Sequence, residues 1–274
     1  MTGDDRTEPR AHCLAGPDGH LAFTLAAPLP DPRAQLLLRR RTGTGSPDTE
    51  RRLLALETGT EGETQAVLDR LPPLAEGRWD LYLLRAPDAE PERLRTGLRD
   101  LRALVDGHLR DRTSPVAARI PYPTKDGYLA LRTWLRTAHA EAGRIEVGDR
   151  STTVHARLHG TRLADGAVVR LRPRGSGGDG EQSAPVDAGA DGRDFRLTVD
   201  HRALATGTSA GGGFWDVFVH PAADAPPVRV ARLLDDVEQR KGSFVYPSAR
   251  TDGTEVRAYY TVDNDLSFQV RAAG

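Results

Sequence analysis

Short runs in which apolar and polar residues alternate recur along this chain. Val154-His155-Ala156-Arg157-Leu158-His159 and Phe195-Arg196-Leu197-Thr198-Val199-Asp200 change character at nearly every step, the period of two expected of a strand with one buried face. In Trp215-Asp216-Val217-Phe218-Val219 the same period sets Trp215, Val217 and Val219 on one side and Asp216 and Phe218 on the other. Trp79, Leu81 and Leu83 form the matching apolar row of an earlier run. Clusters of Gly, Pro, Ser and Asp at 28–32, 42–47, 175–180, 189–192 and 211–213 separate such runs and supply the turn chemistry between strands. The pattern predicts an all-β chain of sandwiches, because strands are not regularly followed by long amphipathic helices. Pro91 to Leu109 departs from it, with Leu94, Leu98, Leu101 and Leu104 near helical spacing. Its later counterpart, Val228-Arg229-Val230-Ala231-Arg232-Leu233, alternates, so a strand is expected first, then a helical turn near Asp100 to Val105.

Unlike patterns also recur in the same order half a chain apart. Gly77-Arg78-Trp79-Asp80-Leu81-Tyr82-Leu83 returns 136 positions on as Gly213-Phe214-Trp215-Asp216-Val217-Phe218-Val219. The segment from Tyr122 to Leu131 aligns with Tyr259 to Phe268 at an offset of 137. Leu21 to Leu25 and Leu36 to Arg39 correspond to Val154 to Leu158 and Val169 to Arg172 at 133. Four colinear blocks predict an internal duplication into two tandem immunoglobulin-like β-sandwich domains, marked by Trp79, Asp80, Trp215 and Asp216. The expected divisions are a disordered arm over 1–10, repeat 1 over 11–135, a short linker over 136–142 and repeat 2 over 143–274. A joint that short restricts the mutual orientation of the repeats, which makes a shared cleft an expected ligand site.

The 38 basic and 39 acidic side chains leave a net charge of -1, so no global field gathers nucleic acid, and a nucleic-acid partner is not expected. Cys13 is the only cysteine, which excludes an intrachain disulfide and a multi-thiolate zinc site. Met1 to Arg10 is polar with no apolar stretch behind it, and no run approaches the ~18 apolar residues of a spanning helix. Neither a signal peptide nor a membrane span is expected, and the expected location is cytoplasmic, with the inner face of the membrane as a peripheral site.

Candidate chemistry is sparse. His155 and His159 have the spacing of helical zinc ligands, but four residues of strand separate them by roughly 13 Å, too far to share an ion. Gly175 to Gly180 lacks the Gly-Lys-Ser/Thr that would make it a phosphate loop and is expected to be a flexible hairpin loop. Asp263-Asn264-Asp265 lacks the further ligands of a calcium loop, and its counterpart Asp126-Gly127-Tyr128 points to a hairpin turn. Asp80 and Asp216 could be paired catalytic carboxylates, but one acid per repeat is the signature of a duplicated structural group. There is no HExxH motif, and Cys13 has no recognisable partner. No catalytic, cofactor-binding or metal-ligating residue is assigned.

His139-Ala140-Glu141-Ala142-Gly143-Arg144-Ile145-Glu146-Val147, followed by Thr153 to Gly160, Phe244-Val245-Tyr246-Pro247 and Tyr260 to Leu266, resembles the tandem β-sandwich modules of actinobacterial proteins that accompany, or are fused to, family 2 glycosyltransferases and glycerophosphotransferases of the teichoic-acid type. The near-exclusive use of arginine, with Lys125 and Lys241 the only lysines, is in keeping with a high-GC actinobacterial source. The transferase chemistry of that family resides in a separate catalytic domain, so the resemblance implies a non-catalytic accessory protein. Its expected partner is a glycosyltransferase or glycerophosphotransferase, or a glycan or polyol-phosphate polymer, and homo-oligomers are compatible with the role. Tyr122, Tyr128, Tyr259 and Tyr260 stand beside predicted turns, where rings stack on sugars, while Arg39, Arg40, Arg41, Arg170, Arg172 and Arg174 could pair with phosphates. Strand packing and protected sheet edges would use the same residues. The competing expectation is a transferase with its active site in the cleft between the domains.

Overall fold

The computed structural model describes residues 8–26, 29, 31–42, 50–59, 62–106, 111–175, 180–209 and 211–273. Most of the expected N-terminal arm and of the turn clusters at 42–47 and 175–180 lies outside them. The alternating runs form the strands expected of them, and the chain is all-β apart from two short helices among the described residues. It divides into two compact units, one of residues 1–110, 117–135 and 234–238, the other of 111–116, 136–233 and 239–274.

The first unit is built from β1 (Arg10–Ala15), β2 (Leu21–Leu25), β3 (Gln35–Arg40), β4 (Arg51–Ala55), β5 (Glu57–Thr58), β6 (Thr64–Leu68), β7 (Gly77–Leu84), β8 (Glu92–Arg93), β9 (Arg95–Asp100), α1 (Arg102–Asp106), β10 (Val116–Pro123) and β11 (Leu129–Arg136). One sheet has the order β5-β6-β2-β1-β9 and the other β10-β11-β7-β3-β4. Inward side chains of both, among them Phe23, Leu36, Leu68, Trp79 and Leu131, share one core. The run from Pro91 is strand first and helix second, because Leu94 and Leu101 are buried while Leu98 projects into solvent, which a continuous helix with a single buried face would not give.

The second unit is built from β12 (His139–Val147), β13 (Ser151–His159), β14 (Val168–Pro173), β15 (Gln182–Ala184), β16 (Val186–Ala188), β17 (Asp194–Asp200), α2 (His201–Thr206), β18 (Gly213–His220), β19 (Val228–Ala231), β20 (Ala249–Thr251), β21 (Thr254–Tyr260) and β22 (Leu266–Ala272). Its strands run β16-β17-β13-β12-β19 and β15-β14-β18-β22-β21-β20, joined by the β18–β19 pair into one sheet, and they follow the orders of the first unit with β20 added. In each unit the first strand pairs in parallel with a late one, β1 with β9 and β12 with β19. Trp215, Val217 and Val219 are buried, as are Trp79, Leu81 and Leu83, so both tryptophan strands face inward as their alternation predicts. The Trp79 indole donates to Thr133 Oγ1 at 3.2 Å and the Trp215 indole to Thr208 Oγ1 at 2.8 Å, satisfying the one polar atom each ring takes into the core.

Of the expected linker over 136–142, only 137–138 lie between strands. Arg136 ends β11 and His139 opens β12, and the small residues Ala140 and Ala142 pair with Leu158 and Ala156 of β13. Two alanines between charged residues give weak apolar periodicity, so the strand is hard to see in sequence, although both alanines are buried.

This pairing sets His139 opposite His159, with the rings stacked at 6.3 Å and both side chains fully enclosed. His139 Nε2 meets the Glu141 carboxylate at 2.6 Å, which also accepts the Leu233 N–H at 2.8 Å. Neither His159 ring nitrogen has a hydrogen-bond partner. Burial, and then the neighbouring His139, hold the His159 imidazole down at about 4. The folded state therefore keeps it neutral while the unfolded chain takes up a proton below about pH 6.5, so its contribution is present above that pH and lost as pH falls toward 4. Urea denaturation at pH 7, 5.5 and 4.5 should show a progressive loss, about 3 kcal/mol when complete. His159→Leu should flatten that slope, and an equal slope in both proteins would contradict the assignment.

Candidate functional site

The outward residues of β18 are Phe214, Asp216, Phe218 and His220, none of them fully buried. Strand register surrounds them with cations and rings. Phe218 lies opposite Arg170 of β14 and Arg229 of β19, and Asp216 opposite Arg172 and Ser267. Phe214 lies opposite Gln269 of β22, which in turn faces Arg257 of β21. Arg172 and Arg229 each sit 4.8 Å from the Phe218 ring centre, Arg174 sits 5.2 Å from that of Phe214, and Phe214 meets Tyr259 edge-on at 5.8 Å. Each cation–ring contact contributes about 0.5–1 kcal/mol at partly exposed positions such as these.

Asp216 holds the centre of this face. Its Oδ1 accepts from Arg174 at 2.5 Å, Arg229 at 2.7 Å and Ser267 Oγ at 2.8 Å. Burial pushes the carboxyl up, but these donors outweigh it and hold the group at about 2. Asp80 occupies the same place in the first unit, accepting from Arg41 at 2.6 and 2.9 Å and from Arg93 at 3.1 Å. A carboxylate engaged by two guanidiniums is an anchor and not a poised base. In the second unit Glu181 forms a further anchor, 2.7 Å from both Arg170 and Arg172.

Beside Asp216 the second unit opens a groove of about 390 Å³. Phe214 and Tyr259 line it from the sheet, and Phe244 and Tyr246 from the segment after β19. Its cations are Arg174, Lys241 and Arg257, and among the described residues no Asp, Glu, His or Cys lines it. The segment is held from beneath, for Phe244 and Tyr246 pack 6.2 Å from the buried Tyr260 ring, and Phe244 carries the Arg240 guanidinium at 4.6 Å. The Arg240 backbone N–H donates to Asn264 Oδ1 at 2.8 Å. Asn264 takes a φ of 62° in the turn between β21 and β22, a left-handed conformation that asparagine tolerates.

The ten candidates read from the sequence do not converge. Tyr259 and Arg174 line the groove, whereas Tyr260 is fully enclosed in the core and Tyr122 is buried, so neither ring is free to stack on a sugar. Tyr128 lies 4.2 Å from both Arg93 and Arg95 and donates to Glu8 at 2.8 Å. Arg39 stacks on Tyr82 at 4.6 Å, Arg40 donates to the Glu76 carbonyl at 2.6 Å, and Arg41, Arg170 and Arg172 are spent on Asp80 and Glu181. Phe214, Lys241, Phe244, Tyr246 and Arg257 were not singled out in the sequence, although alternation already set Phe214 on the face opposite Trp215. His155 remains exposed, 3.6 Å from Glu146, while His159 is buried. No cluster of three His, Cys, Asp or Glu among the described residues could hold a metal. Burial pushes the Cys13 thiol up to about 12, far from a reactive thiolate.

Among the described residues, the lining of the groove does not recur in the first unit. In the first unit the cross-strand pair corresponding to Phe214 and Gln269 is Arg78 and Arg132. The residue two before Tyr122 is the buried Ile120, where Arg257 stands two before Tyr259.

No family model matches the chain, and no curated protein matches it. Among solved structures, S. aureus TarS is similar at a TM-score of 0.39 and 14% identity, over 63% of this chain and 32% of that one. S. aureus TarS 217-571 is similar at 0.31 and 15%, over 72% of this chain and 57% of that one. A marsupial T cell receptor is similar at 0.26 and 8%, over 97% and 92%. The chain thus spans about a third of the first TarS structure and just over half of the second. Likeness at this level assigns neither a family nor a chemistry. Among the described residues no helix is long and apolar enough to cross a membrane.

The geometry around Asp216 makes a stability prediction. Asp216→Ala leaves Arg174 and Arg229 without the carboxylate they share, with only the neutral Ser267 Oγ accepting from both, and should destabilise the protein by about 1–3 kcal/mol at pH 7. Ser267→Ala removes a neutral hydroxyl that donates to Asp216 and accepts from the two arginines, leaves the ion pairs in place and should cost less than about 1 kcal/mol. Chemical denaturation of both variants checks the order, and equal losses would contradict the central role of Asp216.

Proposed function

We propose that this chain is a non-catalytic binding protein. Its second unit holds a segment of a glycan-type polymer in the aromatic groove, and through that contact it assists a glycosyl- or glycerophosphotransferase of cell-envelope glycopolymer synthesis. The observation that carries this reading is a groove of four rings and three cations on one of two units that otherwise repeat the same strand order and the same Arg-Asp-Arg anchor. Residues required by the fold recur in both units, whereas residues present in one are free to serve a ligand.

Ring faces offer the apolar C–H surface of a sugar or polyol a dry contact, and flanking cations fix the polar groups around it. The lining holds no Asp, Glu, His or Cys to act as acid, base or nucleophile, which favours binding over group transfer. The resemblance to transferase-associated modules supplies the biological context. The matched topologies support descent of both units from one duplicated immunoglobulin-like module, and a cytoplasmic location belongs to the same proposal.

Affinity electrophoresis through gels containing purified cell-wall glycopolymer tests it. Wild-type protein should be retarded, and Phe214→Ala and Tyr259→Ala should each weaken binding about 3–10-fold, as loss of a ring contact of roughly 0.5–1.5 kcal/mol implies. Tyr128→Phe, in the first unit, should migrate like wild type. Unretarded wild-type protein, or equal retardation of all variants, would place binding elsewhere.

A further inference from the structure

We infer that Asn264 is the positioning residue of the groove, its side-chain oxygen tying the wall that carries Lys241, Phe244 and Tyr246 to the sheet. Its effect on a ligand rests on the binding role proposed above, whereas the tether is a property of the free protein.

Both units make the same hairpin turn with different residues. Between β10 and β11 the Thr124 N–H donates to the Tyr128 carbonyl at 2.8 Å and the Gly127 N–H to the Thr124 carbonyl at 2.9 Å, while the Gly127 carbonyl accepts from the Thr96 N–H at 3.0 Å. Each bond recurs between β21 and β22. The Thr261 N–H donates to the Asp265 carbonyl at 2.9 Å and the Asn264 N–H to the Thr261 carbonyl at 3.1 Å, while the Asn264 carbonyl accepts from the Arg232 N–H at 3.0 Å. Gly127 and Asn264 hold the same place, with left-handed φ values of 79° and 62°. Glycine takes that conformation freely, and asparagine is the less favoured choice. The turn therefore needs nothing at position 264 that glycine would not supply.

What asparagine adds is a side-chain acceptor. Asn264 is fully enclosed, and its Oδ1 receives the N–H of the equally enclosed Arg240 at 2.8 Å, across 24 positions of chain. Arg240 then organises the start of the groove wall. Its carbonyl accepts the Ser243 and Phe244 N–H groups at 2.9 and 3.0 Å, and its guanidinium lies 4.6 Å from the Phe244 ring centre. Its Nε donates to the Arg232 carbonyl at 3.1 Å. Asn264 thus holds the chain twice, with its backbone oxygen at Arg232 where the chain leaves β19 and with its side-chain oxygen at Arg240 where the wall begins. A buried N–H deprived of its acceptor is costly, so Oδ1 fixes where the wall sits.

Hydrogen exchange of the full chain, read by mass spectrometry, tests the tether without a ligand, and retardation in gels containing purified cell-wall glycopolymer reads its effect on binding. Asn264→Gly copies the first unit's turn. It should leave β21 and β22 as protected as in wild type while the segment 240–246 exchanges about 3–10-fold faster, as loss of one buried hydrogen bond gives. Its binding to the polymer should weaken by roughly the same factor, because affinity scales with the fraction of molecules whose wall is in place. Asn264→Asp keeps an acceptor oxygen on a residue that tolerates the left-handed region, and it should restore slow exchange. Exchange over 240–246 that is unchanged in Asn264→Gly, or equally fast in the Gly and Asp variants, would overturn the tether. Faster exchange spread over β21 and β22 would make Asn264 a turn residue alone, and retardation of Asn264→Gly equal to that of wild type would overturn its positioning role. If the segment loosens in Asn264→Gly but wild-type protein is not retarded, the tether stands and the binding role falls.

Discussion

A carboxylate between two guanidiniums organises the outer face of each unit's second sheet. In the second unit Asp216 is half-buried, and desolvation pushes its carboxyl up. Arg174, Arg229 and Ser267 converge on it and keep it ionised. The consequence extends beyond one ion pair. Arg174, fixed at one end by Asp216, lies over Phe214, and Phe214 fixes the edge contact with Tyr259. Those two rings form the sheet side of the groove, so its shape depends on the anchor although Asp216 does not line it.

The first unit keeps the anchor but not the residues that line the groove. Arg41, Asp80 and Arg93 repeat the arrangement around the other tryptophan strand, yet Arg78 stands where Phe214 does, and Ile120 where Arg257 does. Other cations of the unit turn to its own rings and carbonyls: Arg39 to Tyr82, Arg95 to Tyr128 and Arg119 to the Asp69 carbonyl. One strand order thus supports two differently lined surfaces. The same separation of roles accounts for the His139–His159 stack, which lies in the strand pair β12–β13 and serves packing without contributing to the groove.

Much of the fold was legible as pattern. Period-two runs placed the strands, and the inward set Trp215, Val217 and Val219 is buried as read. Colinear blocks anticipated that the second half would repeat the strand order of the first. The strand over His139 to Val147 was missed because alanines pack well while contributing little to apolar periodicity, and its loss hid the register that brings two histidines together. The candidate site was read less well. Tyrosines beside turns are expected to be exposed, but Tyr259 and Tyr260 are neighbours on β21, and adjacent residues on a strand must face opposite ways. One lines the groove and the other props the core beneath it.

The amino-acid sequence by itself therefore determined the strands, their inward faces, the absence of a disulfide and the near-neutral balance of charge, since each follows from local spacing or from counting. Only the tertiary structure decided which charges cancel. Asp216 reaches Arg174 across 42 positions and Ser267 across 51, and Glu255, two before Arg257 on β21, is engaged by Arg250 and Arg271. Whether an arginine is a strut or a ligand-binding group depends on the partners that folding delivers, and long-range register, not composition, sets those partners.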